Sequence, residues 1–298
     1  MGTESESAEG TEGDRSLPSA LAALAERLPR HDELLLCTDF DGTLAPIVED
    51  PDAAETTDEI RGLLRRLADD DRVTVAVISG RELTDVAERV GVDGLTYAGN
   101  HGLEQLRRGE RTVHPRAEEY ADDVERVCAT FDGAFAAEND LLVENKGLSA
   151  TVHFQGGDER RTDALRETMD TIVDWLSDGR LHTESAKDAI EIHPEIEWDK
   201  GERIAALFEE RCDRCLPVFL GDDRTDEAGF RAVERRGGVG VYVGTDGETD
   251  AAESVADPTE VAAVLRWLAT TGTEKLGGDA SVAGGPDRDA DVENENAA

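Results

Sequence analysis

Apolar runs of strand length alternate along this chain with segments of helical period, and the alternation changes character once, in the middle. The run LLLCT (34–38) precedes DEIRGLLRRLADD, in which Ile60, Leu63, Leu64 and Leu67 share one helical face. VTVAVIS, the helical RELTDVAERV and the short run LTYAGN follow, giving β-α-β-α-β. That order predicts a parallel sheet covered by helices, because each crossover helix must bury its apolar stripe. From about Arg116 the order becomes α-β-β twice over: a helix to Thr130, LLVENK, SATVHFQ, a helix from about Arg160 to Leu176, RLHTES and DAIEIHP. Two helices on an antiparallel sheet are expected there. From Asp199 the first rhythm returns with DKGERIAALFEERC, LPVFLGDD, TDEAGFRAVERR, GVGVYVG and DPTEVAAVLRWLA. The expected fold is therefore α/β: a Rossmann-like core with a parallel sheet (18–112 and 196–271), carrying an inserted α+β domain of order α-β-β-α-β-β (113–195).

A chain of 298 residues is long enough for two such units. Asp and Glu total 69 against 31 Lys and Arg, a formal charge of -38. Nucleic acid and anionic membrane are excluded as partners, since both require a cationic face. Lysine is nearly absent, with Lys146, Lys187, Lys200 and Lys275 the only ones. Acid spread so evenly suits a salt-rich cytoplasm, where the Debye length falls to about 3 Å at 1 M and self-repulsion is screened. The ends, 1–17 and 272–298, are Gly, Ser, Asp and Glu mixtures expected to form disordered acidic tails. No apolar run reaches membrane-spanning length and no basic segment precedes an apolar one. Glu6 stands where N-myristoylation needs Ser or Thr. The expectation is a cytoplasmic monomer. The four cysteines are expected to be reduced: Cys37 falls in a core strand, and Cys212 with Cys215 lacks the second pair of a structural zinc site.

In an open parallel sheet, ligands bind beyond the carboxyl ends of the strands. Four such ends here carry polar signatures: DFDGT, SGR, DK and GDDRTDE. If they meet, Asp39, Asp41, Asp222 and Asp223 share one crevice, and clustered carboxylates call for a divalent cation, raised pKa values, or both. Magnesium suits that set, as a hard ion that takes a few carboxylates and bridges to phosphate. An EF-hand is excluded, because Gly42 comes too early and no glutamate closes the loop. The Ser79 hydroxyl, the backbone N–H groups around Gly42 and Gly80, and the Lys200 ammonium are suited to phosphoryl oxygens. Lys200 opens a helix, against the dipole preference, and a phosphate beside it would account for that. A surface pair with Glu202 is the plainer alternative.

DFDGTLAPI, ISGR, DKG and GDDRTDE resemble, in order, the four motifs of the haloacid-dehalogenase superfamily of phosphatases, and the insertion resembles that superfamily's larger α/β cap. YAGNHGLE and ENKGLSATVHF are similar to the trehalose-6-phosphate phosphatases, with the likeness running from about Leu34 to Ala269. The resemblance implies Mg2+-dependent hydrolysis of trehalose 6-phosphate, the last step of trehalose biosynthesis. Asp39 would attack phosphorus and form an aspartyl-phosphate, while Asp41 would act as general acid and then base. Ser79 and Lys200 would bind phosphoryl oxygens. The metal would be held by Asp39, the backbone carbonyl of Asp41 and Asp222, supported by Asp223 and Asp226, although Asp226 also fits a plain helix cap.

Substrate contacts would come from Gly80, Arg81, Asn100 and His101, with Glu144, Lys146 and Glu191 as a sugar clamp or, alternatively, a surface ion-pair ladder. Two positions depart from the family pattern: Gln155 stands where arginine is usual, and His193 where E-x-R-P is commoner. Each removes a fixed cation. The small-molecule partner is thus a sugar phosphate, and a trehalose-phosphate synthase is a candidate protein partner. Two alternatives stay open. One is a phosphatase for sucrose phosphate, a mannosyl- or glucosyl-phosphoglycerate, or a hexose phosphate. The other is a catalytically silent sugar-phosphate-binding regulator, which the presence of both acids of DFD, Lys200 and Asp222 argues against.

Overall fold

The structure, a computed structural model, describes residues 16–48, 50–135, 141–154, 159–186, 189–211, 213–245 and 247–278. Gln155, Lys187, Cys212 and most of both expected tails lie outside the described residues. The chain opens with α1 (Leu17–Arg27), β1 (Glu33–Thr38), α2 (Asp58–Ala68), β2 (Val73–Ile78), α3 (Leu83–Val90) and β3 (Thr96–Gly99), then a hairpin of β4 (Glu104–Arg107) and β5 (Glu110–Val113). The middle holds α4 (Ala121–Ala134), β6 (Leu141–Asn145), β7 (Ala150–Phe154), α5 (Glu159–Ser177), β8 (Leu181–Ala186) and β9 (Ala189–Pro194). It closes with α6 (Lys200–Glu209), β10 (Cys215–Gly221), α7 (Glu227–Glu234), β11 (Val239–Val243), β12 (Glu253–Val255) and α8 (Pro258–Trp267).

The outer blocks share one eight-stranded sheet in the order β12-β11-β10-β1-β2-β3-β4-β5. Pairing is parallel from β12 to β3 and antiparallel through β4 and β5. Alternate strand residues divide its core. Leu34, Leu36, Val75, Val77 and Val218 pack with Leu24, Leu64, Val86 and Leu265 of α1, α2, α3 and α8. Leu35, Cys37, Ala76 and Phe219 pack with Ile204, Phe230 and Val233 of α6 and α7. A strand covered on both faces has no polar side, which is why LLLC shows no alternation.

The middle block builds a separate antiparallel sheet, β6-β7-β9-β8. Val124, Val127 and Phe131 of α4, with Met169 and Val173 of α5, pack on Val152, Ile190 and Ile192. Because side chains alternate, Thr151, His153, Glu191 and His193 point to the opposite face, and that face meets the first sheet: the His193 and His101 rings lie 5.0 Å apart.

Several details depart from the expectations. The β4–β5 hairpin turns at Arg108 and Gly109, both with positive φ (53° and 80°), as a two-residue hairpin turn requires. The helix expected from Arg116 starts as a 3-10 turn over Ala117–Tyr120 before α4. Packed structure also runs past 271, where a tail was expected: Thr273–Lys275 form a 3-10 turn, and Leu276 is buried in the first core. At the other end Leu17 already belongs to α1. Among the described residues no helix is long and apolar enough to cross a membrane.

Candidate active site

The carboxyl end of β1 forms the floor of the site. Asp39 still donates its N–H to Leu220 O (2.8 Å), after which the chain turns and Leu44 and Ala45 donate back to Phe40 O, both at 2.9 Å. Gly42 makes the turn with φ +72°, and a β-carbon there would lie 2.0 Å from the Asp222 carboxylate. Glycine is needed on both counts. The DFDG turn and the GDD loop after β10 therefore touch, and Asp39, Asp222 and Asp226 bring carboxylate oxygens within 4.8 Å of one another.

Lys200, 2% exposed, is the first residue of α6. Its Nζ donates to Asp39 Oδ1 at 3.0 Å and to Asp226 Oδ1 at 2.7 Å. These two buried carboxylates, rather than a surface pair with Glu202, account for an ammonium at a helix start. Burial disfavours its charge, but Asp226 and Asp39 outweigh that and hold it well above the usual ammonium range. The acids outnumber the lysine. Burial, then repulsion among the carboxylates, pushes Asp39 well above its ordinary range and Asp222 up to about 7. Burial lifts Asp226 to about 6 against the pull of Lys200. Asp223 is exposed; partial desolvation would raise it, yet Lys200 and the Thr225 hydrogen bond hold it below the usual value. An excess of crowded, oxygen-only negative charge is the donor set of a hard divalent cation.

Asp226 is fully buried and has both oxygens engaged, with Oδ2 accepting from the N–H groups of Asp222 (2.9 Å) and Asp223 (3.1 Å). The cap of the following turn is Asp223, which accepts from Thr225 and Asp226. Asp226 completes that capping box from the other side, accepting from the Asp223 N–H, and also anchors the lysine.

Asp41 occupies a different environment. Its side chain is 42% exposed and lies in a bidentate grip, with Arg81 Nε and Nη2 each 2.7 Å from one of its oxygens. Arg81 also donates to Asp85 at 3.0 Å and lies over the Phe40 ring at 5.4 Å. Arg81, expected among the substrate contacts, is committed to these carboxylates. Ser79 follows β2 directly, is 1% exposed, and accepts from Arg81 N at 3.2 Å. Gly80 lets the His101 ring approach, since a β-carbon would sit 2.7 Å from it, and its carbonyl accepts from Lys146 Nζ at 3.2 Å.

The second sheet supplies the roof. Its register aligns Glu144, Thr151, Glu191 and Glu184 in one row across four strands, so Glu144 and Glu191 are separated by β7. Glu144 contacts His153 at 3.1 Å and Lys146 at 3.9 Å. Burial pushes the Glu191 carboxyl up, but the His193 hydrogen bond (3.1 Å) and the neighbouring His101 and Lys146 outweigh it and hold it well below the usual range. Asn100, fully buried, donates to Glu104 (2.6 Å) and to the Lys146 carbonyl (3.2 Å), which makes it a strut between the sheets. A cavity of about 320 Å3 between floor and roof is lined by His101, His182, Glu191, His193, Lys200 and Arg224, among others. Lys146 stands at Gly80 instead, with Glu144 beside it.

Residues 37–260 match the family described as Trehalose-phosphatase. The chain belongs to the trehalose-phosphatase family. A "Probable trehalose-phosphate phosphatase 4" from Oryza sativa subsp. japonica is 34% identical over 265 residues, covering 85% of this chain and 71% of that protein. The C-terminal domain of the C. albicans trehalose-6-phosphate phosphatase superposes with a TM-score of 0.70 at 22% identity, covering 87% of this chain and 99% of that one. A haloacid dehalogenase-like hydrolase from Bacteroides thetaiotaomicron reaches 0.55 at 16%, over 79% and 99%. These two likenesses establish the shared fold. Family membership makes the chain a phosphoric monoester hydrolase.

Asp85, Glu104 and Ser149, which hold Arg81 and Asn100, are not among the site residues expected from the sequence of this trehalose-phosphatase family member. Asp85 had a usable signal, standing four residues after Arg81 at the spacing of a helical ion pair. Glu104 and Ser149 are joined to the site only through tertiary contacts.

Proposed function

We propose that the chain hydrolyses trehalose 6-phosphate to trehalose and phosphate, with Asp39 as nucleophile and Asp41 as general acid and base. The observation that supports the reading is the contrast between the two acids: Asp39 is 5% exposed and paired with Lys200, whereas the Asp41 side chain is 42% exposed and held by Arg81. An Asp39 oxygen attacks phosphorus and the bond to the sugar oxygen breaks, with Asp41, which takes up a proton from solvent before the step, giving that proton to the leaving oxygen. Asp41 then takes a proton from water as it attacks the aspartyl-phosphate, and phosphate leaves. Lys200 and Ser79 hold the phosphoryl oxygens as charge shifts, the positioning work that phosphoryl transfer needs.

The acid cluster fits Mg2+, which Asp39, Asp222 and the Asp41 carbonyl would hold and Asp223 would support. The ion would neutralise phosphoryl charge there. Glu191 and Lys146, with Glu144, are the groups assigned to sugar hydroxyls, while Asn100 and Asp226 serve as struts. The setting assigned to the enzyme is a salt-rich cytoplasm, as a monomer whose candidate protein partner is a trehalose-phosphate synthase.

Phosphate release across a panel of sugar phosphates, with and without Mg2+, tests the assignment. Trehalose 6-phosphate should be hydrolysed fastest and only with the metal. Asp39→Asn should lower kcat by roughly 10^4-fold or more, as loss of a nucleophile does. Faster release from sucrose phosphate, a phosphoglycerate derivative or a hexose phosphate would change the substrate, and turnover retained in the variant would overturn the covalent route.

A further inference from the structure

Beside the acid cluster, across Lys200, three donor atoms converge on the seam between the sheets. His101 Nε2 lies 3.7 Å, and His193 Nε2 3.1 Å, from the same Glu191 Oε2. Donor atoms of all three residues fall within 4.8 Å of one another. A tetrahedral zinc-sized ion with bonds of about 2.0–2.1 Å separates its ligand atoms by about 3.3 Å, and the two spacings bracket that value.

The ligands are held from independent elements. His101 has φ 55° and donates its N–H to Ser79 O at 2.9 Å, while its ring rests against Gly80. Glu191 and His193, two apart on β9, share one face of their strand. Burial, then the neighbouring His193, pushes His101 down to about 3, so its ring is neutral and offers a lone pair. The catalytic sequence proposed above moves no proton through any of the three.

We propose that His101, Glu191 and His193 form a binding site for a transition-metal ion of the zinc class, fastening β9 to the turn after β3. Two imidazoles and one carboxylate suit Zn2+, Co2+ or Ni2+, whereas Mg2+ favours the all-oxygen cluster around Asp39. Each histidine binds through the Nε2 lone pair, so any proton there passes to Nδ1 or to solvent. Three protein ligands leave a fourth position, and the cavity of about 320 Å3 that all three line gives it access. Lys146 and Lys200 oppose a cation here, and the Glu191 charge offsets them in part. On the phosphatase reading, an ion on Glu191 would take away a sugar contact and slow turnover.

Co2+ titration of the full chain, with excess Mg2+ and no substrate, tests the site through its visible absorption. One equivalent should produce a d–d band of a low-coordinate nitrogen and oxygen site, and Asp222→Asn should keep it. His193→Arg and Glu191→Gln, with circular dichroism confirming the fold, should each weaken Co2+ binding more than about 100-fold, beyond the 10- to 100-fold that losing an outer partner costs. No band at one equivalent, a band unchanged in both of these variants, or a band lost in Asp222→Asn would overturn the proposal. Phosphate release with Mg2+ alone is a separate readout, so failure here leaves the catalytic assignment standing.

Discussion

Two aspartates separated by one residue are set up for opposite work by what surrounds them. Asp39 is sealed against Lys200 and the other acids, while Asp41 is half-exposed and fixed by a planar fork that Asp85 holds in turn. A lysine supplies charge at one point; a guanidinium also sets the plane of the carboxylate it binds. On the proposed mechanism, Arg81 would act as a positioning residue for Asp41. Arg81→Lys should keep the charge, lose the plane and lower kcat by roughly 10- to 100-fold, the scale of an ångström-sized misplacement, with KM changed by less than about threefold. A variant with raised KM and unaltered kcat would return Arg81 to the substrate contacts.

At the scale of elements, the second sheet offers a polar face whose residues come from strand alternation, and its contribution should depend on the size of the substrate. Replacing Glu144, Lys146 or Glu191 with alanine removes a charged hydrogen-bonding group, worth about 1.5–3 kcal/mol or roughly 10- to 150-fold in kcat/KM. That loss is expected on the disaccharide phosphate, with little change on a small aryl phosphate that ends at the floor. Equal losses on both would make the row structural. The contrast between floor and roof also explains what the sequence discloses. LLLC, VTVAVIS and LPVFLG are buried on both faces and read as continuous apolar runs, so the parallel sheet and the strand ends bearing Asp39, Ser79 and Asp222 are legible. The β4–β5 hairpin is not, because ERTV is the edge strand and EQLR lies next to it, and both carry charged or polar residues where an inner strand carries valine. Pairing across the fold is equally invisible in one dimension. That Arg81 grips Asp41 across 40 positions, or that Asn100 braces Lys146 across 46, depends on how the strands stack.

For the molecule as a whole, the decisive quantity is a formal charge of -38 on a body whose substrate is itself an anion. In dilute buffer the carboxylates repel one another and the approaching phosphate alike, which loosens the fold and slows capture. Surface pairs such as Arg30–Glu26 and Arg231–Asp250 do little to offset this, because exposed ion pairs are worth less than about 1 kcal/mol each. Near molar salt the Debye length shrinks to about 3 Å, so long-range repulsion disappears while contacts of that length endure. The Lys200 contacts with Asp39 and Asp226, at 3.0 and 2.7 Å and out of reach of solvent, are of that kind. Stability and catalysis should therefore respond to salt in the same direction. Relief of a few kcal/mol corresponds to a rise of roughly 5–10 °C in Tm for a chain of this size, and kcat/KM should climb over the same range. Thermal melts and initial rates from 0.1 to 2 M potassium chloride, with Mg2+ saturating throughout, measure both. A protein most stable and most active in the most dilute buffer would refute the halophilic reading, and the acidity would then need a cause other than salt.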